Sequence, residues 1–210
     1  IASCLVGSEM CIRDRIGMCP VRALRVAYTG ELGWELHHPI EMQNYLLDIL
    51  LSSGKEFNLK LVGARAQNWL RQEKSYKAFG SDLGRDAGPF ESNLSRFVDI
   101  NKNFLGKDAL LKRKTDVSCV TLLIDGPKDI DPWGREALYN ETEEVMLGRL
   151  TSAGYSVHFK RSIGIGYVKS SFSEVGTKLR IKIDDAFWDA EIVRDSPYDP
   201  QNERIIDRVQ

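Results

Sequence analysis

Histidine is scarce in this chain: only His37, His38 and His158 occur among 210 residues. His37 and His38 adjoin on a strand-like stretch and so face opposite ways, which argues against a shared metal ion. Cysteine is scarce too. Cys4 and Cys11 fall in an atypical N-terminal stretch, while Cys19 and Cys119 stand far apart with no CxxC and no cysteine–histidine cluster. That spacing supports neither a disulfide framework nor a zinc site, and a reducing compartment is the default. Nor does one sign of charge dominate, since 29 Lys and Arg balance 30 Asp and Glu to a net charge of −1. Without a basic footprint, neither nucleic acid nor an anionic membrane is an expected partner. No apolar run approaches the roughly 20 residues of a membrane-spanning helix. GxSxG, P-loop, HExxH and helix-opening GxGxxG motifs are all absent. "GIGYV" at 164–168 has nothing helical after it and reads as a barrel strand with close backbone approach.

What is present is ordinary globular composition, 42% hydrophobic and 28% charged. The length suits one large domain or two small ones. "CLVGSEMCIRDR", residues 4–15, shows no clear helix or strand pattern and resembles a translated sequencing-adapter remnant. Ile1 to Arg15 is therefore expected to be non-native and is set apart from the fold. A signal segment is the other reading; Glu9, Arg13 and Asp14 break its apolar stretches and no basic region precedes them. On this view the true start is missing and any targeting signal is unreadable.

From there the pattern is legible. "RALRVAYTGELGWELHH" reads as a hairpin, with Leu24 and Val26 alternating against Arg25 and with Gly30 and Gly33 in the turn. "IEMQNYLLDILLSSG" reads as a helix whose Met42, Tyr45, Leu46, Ile49 and Leu50 form one stripe, with Gly54 as its stop. "VGARAQNWLRQEKSY" reads as a second helix with Val62, Ala66, Trp69 and Leu70 on one side, then "SDLGRDAGPFES" as a loop and "GKDALLKRK" as a short helix. Near Thr115 the texture becomes a series of short strands divided by turns. Among them Leu179, Ile181 and Ile183 pair with Trp188, Ala190 and Ile192 around Asp184 and Asp185. The expected organisation is α+β: a mixed domain over 16–115, then a small antiparallel barrel over 116–210.

One short stretch, "YTGELGWELH" at 28–37, raises a functional question. On a strand, Trp34 and Leu36 point one way and Glu35 and His37 the other. Glu35 is then either a solvated hairpin residue or a carboxylate aimed at a ligand. The residues alone leave both open.

Five motifs occur in one order: "VRALRVAYTGELGWELH", "GARAQNWLRQEKSYKAFGSDL", "GPFESNLSRFVDINKNFLGKDAL", "LTSAGYSVHFKRSIGIGYV" and "SPYDPQNERI". Together they resemble the aminomethyltransferase superfamily, the folate-binding fold of the glycine-cleavage T-protein. The variant with "GELGWEL", "LRQEKSYKAFGSDL" and "SPYDP" is most similar to the C-terminal part of dimethylglycine and sarcosine dehydrogenases. The resemblance covers about Ile16 to Arg208 and implies a folate-binding domain portion followed by the C-terminal barrel. It implies that Glu35 takes the pterin ring of tetrahydrofolate, whose exocyclic amine and ring N–H suit a bidentate carboxylate. Tyr28, Leu36 and His37 fall in the same contact stretch, and Arg65 suits the glutamyl carboxylates. Arg71 is expected to pair with Glu73 or a nearby acid. Departures from the pattern are Gln67 for an arginine, Arg96 for a folate-contacting tyrosine, and "PFESN" for "PLEAG". The family's catalytic acid lies upstream of Tyr28, so no catalytic residue is assigned, and no metal is expected.

The activity implied is enzymatic. A flavin (FAD) domain, expected only in the missing N-terminal region of a parent protein, oxidises an N-methyl amine such as dimethylglycine or sarcosine. The folate region then captures the one-carbon unit, giving 5,10-methylenetetrahydrofolate, and the fragment alone is expected to be inactive. Alternatives are a stand-alone T-protein-like aminomethyltransferase and a non-catalytic folate-binding module. A bacterial cytoplasm or a mitochondrial matrix is the implied location.

Overall fold

The computed structural model describes residues 11–126 and 131–206. It folds as two compact units, one running up to Gln67 together with the tail from Gln201, the other Asn68–Pro200.

The first unit is built on a three-stranded antiparallel sheet of β1 (Cys11–Ile16), β2 (Cys19–Leu24) and β3 (Glu35–His37), in that order. Alternation on β2 sends Cys19, Val21 and Ala23 to the buried face. There they meet Leu46 of helix α1 (Gln43–Gly54), with Ile16, Trp34, Leu36, Met42, Tyr45 and Leu50 packed around them. The expected hairpin is thus present, with a long connection, and the expected α1 stripe is the face that buries. One reading needs correction. Cys11–Ile16 is a strand, though no pattern was expected there: Ile12, Asp14 and Ile16 share the half-buried face, and the charge of Asp14 interrupts the apolar alternation. Ile1–Met10 lies outside the described residues. Helix α1 ends at Gly54 as expected, though with a right-handed φ of −77°; a 3-10 turn over Lys55–Phe57 follows, and Asn58, at φ 56°, turns the chain. Gly54 is also needed for space, since a Cβ there would lie 2.5 Å from Leu59 Cβ.

Helix α2 (Ala64–Glu73) departs furthest from expectation. It begins after Val62, which is left 69% exposed, and its fully buried residues are Arg71, Gln72 and Glu73. Polar side chains occupy the place where an apolar face was expected, and for Arg71 and Glu73 partners elsewhere in the second unit satisfy them. A short helix, α3 (Lys107–Lys112), precedes the strands.

The second unit is dominated by a closed antiparallel barrel. Its strands are β4 (Val117–Ile124), β5 (Ala137–Tyr139), β6 (Met146–Ser156), β7 (Arg161–Lys169), β8 (Lys178–Ile183) and β9 (Ala186–Val193), in the order β4-β7-β6-β5-β8-β9. Closure removes free sheet edges, and inward alternate residues fill the interior. Leu122, Ile124, Leu138, Leu150, Val168, Leu179, Ile181 and Ile192 form that core. The β8–β9 hairpin turns at Asp184, φ 51°, as its sequence suggested. Glycine permits strand contact along β6 and β7: a Cβ on Gly148 would sit 1.9 Å from the Tyr167 carbonyl oxygen, and one on Gly166 2.5 Å from that of Arg149. "GIGYV" is therefore a barrel strand with close backbone approach. Among the described residues no helix is long and apolar enough to cross a membrane.

Candidate functional site

In the first unit the site candidates sit on and around β3. Glu35, Leu36 and His37 lie opposite Leu24, Ala23 and Arg22 of β2. Leu36 and Trp34 pack inward, which leaves Glu35 and His37 on the opposite face. Their side chains are 55% and 56% exposed, with His37 Nε2 at 3.4 Å from Glu35 Oε2. So open a pair is worth little to stability. The carboxylate is correspondingly accessible, and its strand is held by the sheet rather than by the acid. Of the contact stretch, Glu35 and His37 share a face; Leu36 can offer a ligand on that face only its backbone. Tyr28 and Glu31 are half-buried on the connection between β2 and β3, and Arg65 is exposed in the first turn of α2. An exposed carboxylate on that face can accept a pair of adjacent N–H groups from a ligand.

The second unit holds a buried polar network that the sequence did not disclose. Arg71 pairs with Asp82 at 2.7 Å, and the two side chains are 3% and 0% exposed. The guanidinium also donates to Asn68 Oδ1 (2.8 Å), the Tyr76 carbonyl (2.7 Å) and Ser152 Oγ (2.6 Å). Asp82 accepts further from the Ala78 N–H (2.9 Å) and from the Thr151 and Ser152 hydroxyls (2.6 Å each). The nearby acid expected for Arg71 is thus Asp82, not Glu73. Glu73 instead accepts from the Ser156 hydroxyl and, at 3.3 Å, from the His158 N–H.

Asp195 and the closing "SPYDP" that follows it dock on residues 73–77. Lys77 Nζ reaches Asp195 at 2.8 Å, Ser196 Oγ donates to the Lys74 carbonyl at 2.8 Å, and the Tyr198 N–H donates to that of Glu73 at 3.1 Å. Lys74, with a fully buried side chain, donates to the Asp199 carbonyl at 2.6 Å. These residues hold the fold; Asp82 has its oxygens occupied and is no free base. A cleft of about 510 Å³ opens beside it, lined among others by Asp86, Arg149, Thr151 and Tyr167. Burial pushes both the Tyr167 hydroxyl and the Cys119 thiol up to about 12, so both stay protonated at neutral pH. Arg96 lies over the Phe97 ring at 4.8 Å. No metal-binding cluster occurs among the described residues. The only sequence signal for the network was the density of charge at 71–77, which also suits a solvated helix end.

Comparison with known proteins agrees with this architecture. Residues 10–102 match the family model for the GCVT N-terminal domain, and residues 118–199 that for the glycine cleavage T-protein C-terminal barrel domain. The first match begins inside the segment read from sequence as non-native. The mitochondrial dimethylglycine dehydrogenase of Mus musculus is 37% identical over 183 residues, covering 84% of this chain and 20% of that protein. The aminomethyltransferase of Caldanaerobacter subterraneus subsp. tengcongensis is 31% identical over 174 residues, covering 81% of this chain and 46% of that protein. The crystal structure of the glycine cleavage system aminomethyltransferase T from Bartonella henselae superposes with a TM-score of 0.76 at 22% identity, over 86% of this chain and 50% of that one. The fold is thus of the aminomethyltransferase type. The chain belongs to the glycine cleavage T-protein family. It spans about a fifth of the dimethylglycine dehydrogenases and about half of the aminomethyltransferases it matches.

Proposed function

We propose that this chain is the tetrahydrofolate-binding portion of a flavin-dependent N-methyl amine dehydrogenase acting on dimethylglycine or sarcosine. The observation that carries the site is Glu35, an accessible carboxylate on the outward face of β3 whose strand is fixed independently of it. The choice of parent is supported by identity, 37% to dimethylglycine dehydrogenase against 31% to an aminomethyltransferase.

In this reading Glu35 accepts the exocyclic amine and ring N–H of the pterin, a charge-assisted pair. His37, beside it on the same face, borders the ligand, and Tyr28 approaches from the connecting loop. Arg65 takes the glutamyl carboxylates. When bound, tetrahydrofolate supplies the nucleophilic nitrogens that accept the one-carbon unit and leaves as 5,10-methylenetetrahydrofolate. The protein contributes position and shielding from water. FAD belongs to the parent's amine-oxidising domain, and these 210 residues alone do not turn over. A bacterial cytoplasm or mitochondrial matrix fits the relatives. The second reading, a stand-alone aminomethyltransferase, is favoured by the T-protein's shared fold.

Tetrahydrofolate titration of Glu35→Gln and Glu31→Gln tests the site. Glu35→Gln puts an amide donor where the ligand also donates, which costs about 1.5–3 kcal/mol, or roughly 10- to 150-fold in affinity. Glu31→Gln changes affinity little. Equal affinities for the two variants overturn the assignment.

A further inference from the structure

The loop over 25–34 carries Tyr28 and leads into Glu35. It contains no helix or strand, so its backbone groups must find partners outside a ladder. Its apolar packing is concentrated at one end: Trp34 packs on the sheet core, while Val26 is 42% and Leu32 39% exposed. The Val26 N–H donates to the Leu24 carbonyl at 2.9 Å.

The second half of the closing motif, "NERI", supplies long-range anchors to this loop. The Leu32 N–H donates to the Arg204 carbonyl at 3.1 Å. Arg25 Nη2 donates to the Ile205 carbonyl at 3.5 Å. The tail that offers these acceptors is itself a closed turn. The N–H groups of Ile205 and Ile206 both donate to the Asn202 carbonyl, at 3.2 and 3.0 Å. Asn202 sits at φ 60°, a left-handed conformation that asparagine tolerates better than most residues.

We infer that the tail turn over Asn202–Ile206 is a clasp that positions loop 25–34 for its ligand. The inference rests on the reading of Tyr28 and Glu35 as folate contacts. The physical reason is pre-organisation. A ten-residue connection whose apolar packing is concentrated at Trp34 samples many conformations along the rest of its length, and ordering it at the moment of binding subtracts from affinity. A tail that has already ordered the loop removes that cost. Its residues are positioning residues and touch no ligand in this account.

The test compares the full chain, a form ending at Pro200, Arg25→Ala and Arg25→Lys, by amide hydrogen exchange and by tetrahydrofolate titration. Ending the chain at Pro200 should expose the Leu32 amide to exchange, leave the amides of β4 to β9 protected, and weaken tetrahydrofolate binding about tenfold. Arg25→Ala, which leaves the tail intact, should weaken binding several-fold, and Arg25→Lys should recover most of it. Unchanged Leu32 protection in the shortened chain overturns the clasp, as does unchanged affinity once that protection is lost. Failure of the folate reading is recognised separately. In that case the full chain shows no saturable binding, or Glu35→Gln and Glu31→Gln bind equally, whatever Leu32 does; the ligand role of the clasp then falls too.

Discussion

Arg71 Nη1 and Asp82 Oδ2 meet at 2.7 Å with neither side chain appreciably exposed, eleven residues apart in sequence. Around them Asn68, Tyr76, Ala78, Thr151 and Ser152 satisfy the remaining donors and acceptors. Breaking one partner of such a pair leaves an uncompensated buried charge. Arg71→Met and Asp82→Leu should each cost about 3–5 kcal/mol. The double variant should fall short of the summed cost by at least about 1 kcal/mol, because each change removes the other's uncompensated partner. Urea unfolding of all four proteins measures the coupling, and additive losses would refute it.

Gln72 gives a prediction of opposite sign. It is fully buried, its Nε2 donates to the Asn68 carbonyl at 3.0 Å, and its Oε1 has no hydrogen-bond partner. An unmade bond in the interior is expensive, so Gln72→Met, close in length and volume, should leave stability unchanged or raise it by about 1 kcal/mol. Gln72→Glu, which buries a charge at that spot, should be strongly destabilising. A clear loss of stability in the methionine variant would show that Oε1 holds a donor such as an internal water.

Glu91 supplies a pH dependence. Burial pushes its pKa up. That effect is outweighed by hydrogen bonds from the Thr115 hydroxyl (2.6 Å) and the Gly88 N–H (2.7 Å) and by Arg113, which leave it below its usual value of 4.5. A carboxylate depressed in the folded state contributes stability above its unfolded value, and that contribution is lost as pH falls through the folded value. Wild type should therefore melt above Glu91→Gln at pH 7, with the gap closing as pH falls below 4.5. A gap that is constant across that range would remove Glu91 from the titration.

Much of this fold was legible in the sequence because its signals are local. Period-two alternation in "KLRIKID" and "FWDAEIV" marks β8 and β9, and the α1 stripe of Met42, Tyr45, Leu46 and Leu50 needs only a 3.6-residue period. The face of Glu35 was legible for the same reason: Trp34 and Leu36 are apolar neighbours on a strand, and they pack inward. That Glu35 was singled out at all came from the resemblance to a family, since alternation alone left it equally well solvated.

Tertiary structure decided what local rules misread. Asp14, a charge on the half-buried face between Ile12 and Ile16, hid β1, whose pairing with β2 depends on backbone hydrogen bonds that side-chain polarity does not report. Residues 71–77 look like a charged helix exit, yet Arg71, Gln72, Glu73 and Lys74 are among the most buried side chains in the protein. Their partners, Asp82, Ser152, Ser156 and Asp199, are up to 125 residues away in sequence. Burial of charge is favourable only when such partners converge in space, and no pattern within a helix can announce that. The sequence determined which segments are strands and helices and which way their apolar faces point; the folded chain alone decided which charges those faces enclose.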